Sequence, residues 1–385
     1  MKKLSKSAKK QIYNIAFLLL LVAVTLTVLL LSYQELNFGN IFAFIKSSKW
    51  WLLILSVVCM VMGIVFEGLS LFIISRSLGH RTRLLPSVAY SSADIYYSAI
   101  TPSATGGQPA SAYYMVKDGM SAGTASFTLV MNTVVYTASL VVLTVVSFAI
   151  KPQLFSEFEF WPKFFVILGV VIQSALFVLL FFCMTFNKAL KKVCNGIITL
   201  LTKMRIVKNP EKWRNKVEVE VGKYAECFQQ FRKKPFVFFI ALIFNVCQRV
   251  VRVLISCCIC IAADPQAPFW DIFVLQSFVT VGYTSLPMPG GVGVFEYLYV
   301  HIYGLIFTDT AFILSSMMVM RTVSYYLSII VSGAITLAFH TWLLRRKPKE
   351  AEEVELPEVE CELLTKGESS DGQEQTEDKE NEEYV

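Results

Sequence analysis

The chain has 385 residues, of which 55% are hydrophobic and 17% are charged, and its formal net charge is +6. A soluble domain usually has about 25% charged residues, so this composition excludes an ordinary soluble globular protein. The mean hydropathy is +0.56, and many apolar runs reach the roughly 20 residues with which a helix crosses a bilayer. The sequence therefore predicts an all-α polytopic membrane protein.

In chain order, about six apolar segments are long enough to cross the membrane as full spans. They are residues 11–32, 51–75, 122–149, 164–185, 236–262 and 311–342. The first is longer than the apolar core of a signal peptide, so we predict that it is a retained helix. Segment 188–206 has its apolar residues on one face, which is typical of an interfacial amphipathic helix.

Two further apolar stretches, about 86–116 and 269–307, are each interrupted by glycine and proline. The first contains Thr-Pro-Ser-Ala-Thr-Gly-Gly at 101–107, and the second contains Pro-Met-Pro-Gly-Gly-Val-Gly at 287–293. Proline and glycine at this density break a helix, and each half is then too short to cross the bilayer. We predict two re-entrant helical hairpins.

The loop charges predict an inverted repeat. If basic loops lie in the cytoplasm, both termini are cytoplasmic, the Lys- and Arg-rich segment 186–235 is cytoplasmic and the acidic segment 151–163 is outside. The sides assigned to these loops agree with one another only if the two hairpins re-enter the membrane from opposite sides. The order of two spans, a hairpin and a span then occurs twice, over about 11–150 and 163–342, with 186–235 as an insertion. Interrupted helices at matching positions of inverted halves indicate a binding site at the bilayer midplane.

The charge is divided unevenly between the membrane part and the C-terminal end. Residues 350–385 include 15 acidic and 2 basic residues, whereas the rest of the chain has 33 basic and 14 acidic residues. One dominant charge sign and low hydrophobicity are typical of disorder, so we predict a disordered acidic tail over 346–385. A basic membrane part favours anionic lipid headgroups, although the positive-inside rule alone also makes membrane proteins basic.

The two helix breaks are candidates for an anion-binding site. A helix that starts inside the bilayer points unpaired backbone N–H groups and its positive dipole end into the protein, and this arrangement suits a phosphate or a carboxylate. The alternative is that the glycines only allow helices to pack closely. The residues concerned are Thr101, Gly106, Gly107, Gln108, Pro287, Pro289, Gly290, Gly291 and Gly293.

Charged residues inside the predicted membrane segments each cost about 2.5–3.5 kcal/mol at the bilayer centre, so each needs a partner or a cavity. We interpret the arginines as ligands of a headgroup phosphate and the glutamates as acceptors of a positive group or as partners of the arginines. The alternative is structural ion pairs, for example between Glu67 and Arg321. Tyr325 and other tyrosines either line the same polar path or form an interfacial aromatic belt. The charged residues away from the ends of these segments are Glu67, Asp94, Arg249, Arg252, Glu296 and Arg321.

No motif points to a cofactor or to a catalytic centre. The three histidines, His80, His301 and His340, do not pair with cysteines at zinc-ligand spacing, and the sequence contains no phosphate-binding or nucleophile motif. We therefore expect no cofactor, no metal, no catalytic residue and no direct binding of nucleic acid.

Three motifs together resemble the lysylphosphatidylglycerol synthase transmembrane, or flippase-like, family. They are Thr-Pro-Ser-Ala-Thr-Gly-Gly-Gln-Pro at 101–109, Leu-Pro-Met-Pro-Gly-Gly-Val-Gly-Val-Phe-Glu at 286–296, and Arg321 with Tyr325 and Tyr326. The resemblance implies a flippase-like transmembrane domain over 1–345, a bacterial plasma-membrane location, and a phospholipid headgroup bound near these motifs.

Members of this family with a soluble C-terminal part make lysylphosphatidylglycerol from lysyl-tRNA, and their membrane part moves the lipid. The product lowers the negative surface charge and protects bacteria from cationic antimicrobial peptides. Only 40 residues follow position 345 here, fewer than the roughly 100–200 of an ordinary domain. The resemblance thus implies translocation of anionic or lysyl-modified phosphatidylglycerol, with a separate soluble synthase as a candidate partner.

Three other functions stay open at this point. The first is a phosphatidylglycerol lysyltransferase, as the family name suggests. The second is a small-solute transporter that uses the same midplane site, and the third is a membrane scaffold whose acidic tail recruits a partner.

Overall fold

The computed structural model describes residues 38–101, 105–185, 196, 199, 210–286 and 289–345. The predicted span 11–32, most of the predicted interfacial helix 188–206, Pro287 and the acidic tail 346–385 lie outside these residues. Contacts divide the chain into one unit, Met1–His340, and a second that begins at Thr341. In the second unit the structure describes 341–345, which are helical.

The described residues form helices and no strands. Five of the described helices are long and apolar enough to cross a membrane: Trp50–Ser77, Ala122–Ile150, Phe160–Phe182, Pro235–Ala263 and Thr310–Arg345. These coincide with five of the predicted spans, so the prediction of an all-α polytopic membrane protein is confirmed. In chain order the helices are α1 (Phe38–Ser47), α2 (Trp50–Ser77), α3 (Leu84–Ala99), α4 (Gly107–Lys117), α5 (Ala122–Ile150), α6 (Pro152–Ser156), α7 (Phe160–Thr185), α8 (Pro210–Arg232), α9 (Pro235–Ala263), α10 (Phe269–Thr284), α11 (Val294–Tyr303), α12 (Thr310–Arg321) and α13 (Ser328–Arg345).

Both apolar stretches with central glycines and prolines are broken helices. In the first, α3 has 16 residues and α4 has 11; in the second, α10 has 16 and α11 has 10. At 1.5 Å per residue none of them reaches the roughly 30 Å of the hydrocarbon core. The predicted helix breaks are therefore present, whereas re-entry from opposite sides and the inverted repeat stay predictions.

The last predicted span contains a feature that the sequence analysis missed. A π-helix, Thr322–Leu327, separates α12 from α13. π-Turns inside α-helices are rare and are frequent at functional sites. Here the π-helix begins directly after Arg321, so it sets the direction of the residues that follow this charged side chain.

Small residues let the interior helices approach closely. A Cβ atom on Gly68 of α2 would lie 2.7 Å from the Cα atom of Val88 on α3, and one on Gly169 of α7 would lie 2.4 Å from the carbonyl oxygen of Val281 on α10. Such backbone proximity is common where membrane helices pack through glycine. Because α2 also packs along α9, these contacts hold the charged positions of both helices in one interior region.

Candidate functional site

A partly open cavity of about 280 Å³ lies where the two broken helices meet. Ala99, at the end of α3, and Gly290, in the turn after α10, both line it, and α3 also contacts the turn Pro289–Gly291. The predicted juxtaposition of the two breaks is therefore present in the fold. The ionisable side chains that line the cavity include Glu67, Asp94, Arg249, Arg252 and Arg321.

Arg321 is fixed by a buried ion pair beneath the second break. Its Nε donates to Oε1 of Glu296 at 2.8 Å, and its Nη1 donates to the carbonyl oxygen of Gly290 at 2.6 Å. Its Nη2 lies 2.7 Å from the same glutamate oxygen, and its guanidinium carbon lies 4.0 Å from the centroid of the Phe295 ring. Arg321 is 5% exposed and Glu296 is 3% exposed, so this is a charge pair largely removed from solvent.

Glu296 also caps the N-terminus of α11. Its Oε2 accepts a hydrogen bond from the backbone N–H of Gly293 at 2.6 Å. A carboxylate is stabilised at this position by the helix dipole. The helix break predicted a ligand anion at this N-terminus, but the protein supplies its own carboxylate there.

Glycine is required in the turn that precedes α11. Gly290 has φ 61° and Gly291 has φ 64°, which lie in the left-handed region that residues with a Cβ atom rarely adopt. A Cβ atom on Gly290 would also lie 2.4 Å from the ring of Tyr325. The turn can therefore place the Gly290 carbonyl on Arg321 only because neither residue has a side chain.

The start of α4 also adjoins a carboxylate of the protein itself. The backbone N–H of Gly106 donates to Oγ1 of Thr101 at 2.9 Å, and a Cβ atom on Gly107 would lie 2.1 Å from Oδ1 of Asp94. Both half-helix N-termini thus face internal oxygen acceptors. Binding of an external anion in this cavity depends on the arginine side chains more than on the helix ends.

A second polar chain joins α2 to α9. Nη2 of Arg249 donates to Oε1 of Gln248 at 2.7 Å, and Nε2 of Gln248 donates to Oε2 of Glu67 at 2.7 Å. The guanidinium carbon of Arg249 lies 4.0 Å from the centroid of the Tyr136 ring. The Glu67–Arg321 ion pair considered from the sequence is therefore wrong, because Arg321 pairs with Glu296 and Glu67 accepts from Gln248.

Several buried donors at the cavity have no partner within the described part of the chain. They are Nε of Arg249, Nε of Arg252 and the hydroxyl groups of Tyr325 and Ser328. Buried polar groups in native proteins nearly always have a partner, so unsatisfied ones require an explanation. Here all four belong to residues that line one cavity, and a polar ligand would satisfy them.

The predicted site residues fall into three groups. Glu67, Arg249, Arg252, Gly290, Arg321 and Tyr325 line the cavity. Thr101, Gly106, Gly107, Pro289, Gly291, Gly293 and Glu296 form or support the two breaks. Gln108 is exposed and donates to Thr133 at 3.0 Å, so it is directed away from the cavity.

The cavity also contains polar residues that were not among the predicted site residues. They include Ser98, Tyr136, Gln248 and Gln276, whereas Asp94, which also lines the cavity, was named from the sequence as a charged residue of a membrane segment. Each of them is a polar residue inside an apolar segment of the sequence. The arginines were predicted as site residues from the same pattern. Among the described residues, no group of three or more His, Cys, Asp or Glu side chains could hold a metal ion.

Comparison with known proteins gives two matches. A family model described as the lysylphosphatidylglycerol synthase TM region matches residues 15–332. A UPF0104 membrane protein of Archaeoglobus fulgidus is 28% identical over 108 residues, which are 28% of this chain and 32% of that protein. The chain thus aligns with about a third of the length of this curated relative.

Proposed function

Because this chain belongs to the lysylphosphatidylglycerol synthase transmembrane-region family, we propose that it translocates phospholipid across a bacterial plasma membrane. The proposed lipid is anionic or lysyl-modified phosphatidylglycerol. Movement of the lysyl-modified lipid to the outer leaflet would reduce the negative surface charge and so weaken the attraction of cationic antimicrobial peptides.

One observation supports this proposal most directly: three arginines line the cavity, and the Nε groups of two of them have no partner among the described residues. Arginine binds phosphate oxygens through charge-assisted hydrogen bonds. A charged residue inside a membrane segment usually faces a ligand pathway, because burial of that charge is costly without one.

The size of the cavity favours a headgroup. Its volume of about 280 Å³ is just below the roughly 300–1,000 Å³ of small-molecule sites. A headgroup fits such a volume, whereas the acyl chains would have to stay in the bilayer. In this mechanism the phosphate contacts Arg249 and Arg252, and alternating exposure of the site carries the headgroup across.

The test is lipid movement in proteoliposomes. We expect the purified protein to accelerate the transfer of acyl-labelled fluorescent phosphatidylglycerol between leaflets, measured by dithionite quenching. Arg252→Gln should slow this transfer about tenfold or more, because a hydrogen bond to a charged group contributes about 1.5–3 kcal/mol.

Arg76→Gln is the matched control for this experiment. Arg76 is an exposed arginine near the end of α2, where its guanidinium lies over the Phe72 ring and away from the cavity-lining residues. Its substitution should leave the rate within about twofold. A wild-type rate no higher than that of empty liposomes would contradict the proposal, and lysyl-lipid formation from lysyl-tRNA would instead favour the lysyltransferase.

A further inference from the structure

A row of hydroxyl groups leads along α13 away from the cavity. Ser328 lines the cavity, and Ser332 and Thr336 follow it at intervals of four residues. Residues four apart lie on the same face of an α-helix. All three side chains are buried, so this hydroxyl row faces the interior of the protein.

The same face of α13 packs on the first broken helix. The ring centroid of Phe339 lies 5.8 Å from that of Tyr90 on α3 and 5.9 Å from that of Tyr114 on α4. A Cβ atom on Gly333 would lie 3.0 Å from the ring of Tyr96 on α3. The hydroxyl row is therefore enclosed between α13 and the first broken helix.

Buried hydroxyl groups on both sides of this interface have no partner within the ranges that the structure describes. They belong to Ser328 and Ser332 on α13 and to Ser111 on α4. Ser111 lies one turn before Tyr114, and so on the side of α4 that contacts α13. A buried helical serine commonly donates to a carbonyl group one turn back, as Ser277 does at 2.8 Å. The three serines of the interface do not, and a polar ligand would satisfy them.

Hydroxyl groups suit an anionic group that passes without being retained. They donate to phosphate oxygens but have no charge, so each holds a phosphate less firmly than Arg249 or Arg252 does. A transport route needs such groups, because a site that binds too tightly does not release its ligand. The arginines would hold the headgroup in the cavity, and the hydroxyl row would accompany it along α13.

An aromatic contact closes the far end of the hydroxyl row. His340 lies four residues after Thr336 and is thus the next position on the same face. Its Nδ1 lies 3.5 Å from the Oη atom of Tyr114, and the two ring centroids are 5.9 Å apart. Tyr114 is 5% exposed, so a headgroup could pass only after α4 and α13 separate at this contact.

We propose that the interface between α13 and the first broken helix is the route by which the headgroup passes between the cavity and the cytoplasmic side of the membrane. Ser328, Ser332 and Ser111 donate in turn to its phosphate, and the contact between Tyr114 and His340 closes the route. The cytoplasmic side follows from the loop charges, which predict a cytoplasmic C-terminus after α13. This inference depends on the proposed translocation and adds its path through the protein.

Removal of one hydroxyl group tests the route. Ser332→Ala should slow the transfer of acyl-labelled fluorescent phosphatidylglycerol in proteoliposomes about tenfold, the factor that corresponds to one hydrogen bond to a charged group. Its melting temperature should not fall, because the removed hydroxyl has no partner among the described residues. Ser277→Ala is the matched control, since that hydroxyl is also fully buried but donates within its own helix, away from the cavity-lining residues. This variant should keep the wild-type rate.

A reversible cross-link tests the closing contact. In the double variant Tyr114→Cys/His340→Cys, a short bifunctional thiosulfonate should join the two positions and stop transfer, and a reducing agent should restore it. The two single variants, treated in the same way, are the controls for reaction at each position and at the native cysteines. Transfer by the treated double variant is therefore compared with transfer by the treated single variants.

Two results would contradict the route and leave translocation intact. One is a wild-type rate for Ser332→Ala, and the other is a cross-linked double variant that moves lipid as fast as the treated single variants. Equal slowing by Ser332→Ala and Ser277→Ala would show an effect on the fold and not on a passing headgroup. A wild-type protein that moves no lipid would refute the proposed function itself, and the route with it.

Discussion

At the scale of single residues, the protein balances most of its membrane-embedded charges internally. Arg321 is held by Glu296 and by the carbonyl group of Gly290, so its position is fixed before any ligand arrives. The Nε groups of Arg249 and Arg252 have no partner within the part of the chain that the structure describes. The first arginine therefore has a mainly structural role at the second break, whereas the other two are available to a ligand.

We predict that Arg321→Met is strongly destabilising. Removal of one partner leaves the other as an uncompensated buried charge, which costs about 3–5 kcal/mol. The double variant Arg321→Met/Glu296→Gln should be more stable than Arg321→Met, because the amide keeps the cap on Gly293 without the charge. Unfolding in detergent micelles, followed by thermal or denaturant titration, measures both differences.

The control is the ion pair between Lys151 and Asp271, whose side chains are 41% and 16% exposed. Lys151→Met should cost no more than about 1 kcal/mol, as is usual for a partly solvated pair. If Arg321→Met were no more destabilising than Lys151→Met, the buried pair would not have the structural role inferred here.

At the scale of elements, close helix packing determines where the cavity residues lie. Gly68 of α2 leaves no room for a side chain against the backbone of Val88 on α3. This contact fixes α3, which bears Asp94, against α2, which bears Glu67. The first broken helix is therefore located by a glycine contact that lies outside both sequence motifs.

Gly68→Ala should destabilise the protein by about 1–3 kcal/mol, because the added methyl group must displace α3. Gly222→Ala in α8 provides the comparison, since a Cβ atom there meets no atom within 4 Å. That variant should be neutral or slightly stabilising, as alanine favours the helix over glycine. The melting temperatures in detergent test the difference, and equal shifts in the two variants would contradict the packing argument.

The sequence predicted the helix breaks more reliably than the contacts inside them. The closely spaced prolines and glycines predicted the positions of both breaks, and the hydropathy predicted the five spans that the structure describes. The sequence could not predict which glutamate pairs with Arg321. The choice between Glu67 and Glu296 depends on the depth and rotation of each helix, which the sequence does not give. The π-helix after Arg321 was missed for a related reason, since its residues Thr322–Leu327 show no composition that marks a change of helical pitch.

At the scale of the whole molecule, the two helix breaks come together although they are far apart in the sequence. Ala99 and Gly290 line the same cavity, as expected for two hairpins that meet at the middle of an inverted repeat. The orientation in the membrane remains a prediction from loop charges. It places Arg83, before α3, in the cytoplasm and Glu157, after α6, outside.

Labelling of single introduced cysteines tests this orientation. In intact cells, a membrane-impermeant maleimide should label Glu157→Cys, whereas Arg83→Cys should react only after permeabilisation. Both positions are exposed, so access depends on the side of the membrane and not on burial. The wild-type chain gives the background from its native cysteines, and the reverse pattern would invert the topology.

The contact between Tyr114 and His340 has a consequence for how the chain is made. The Oη atom of Tyr114 lies 3.5 Å from Nδ1 of His340, although the two residues are 226 positions apart. At about 5–20 residues per second, a ribosome reaches the histidine roughly 10–45 s after the tyrosine. During that interval α4 lacks this contact with the last helix, so the insertion machinery or the lipid would have to cover the Tyr114 side chain.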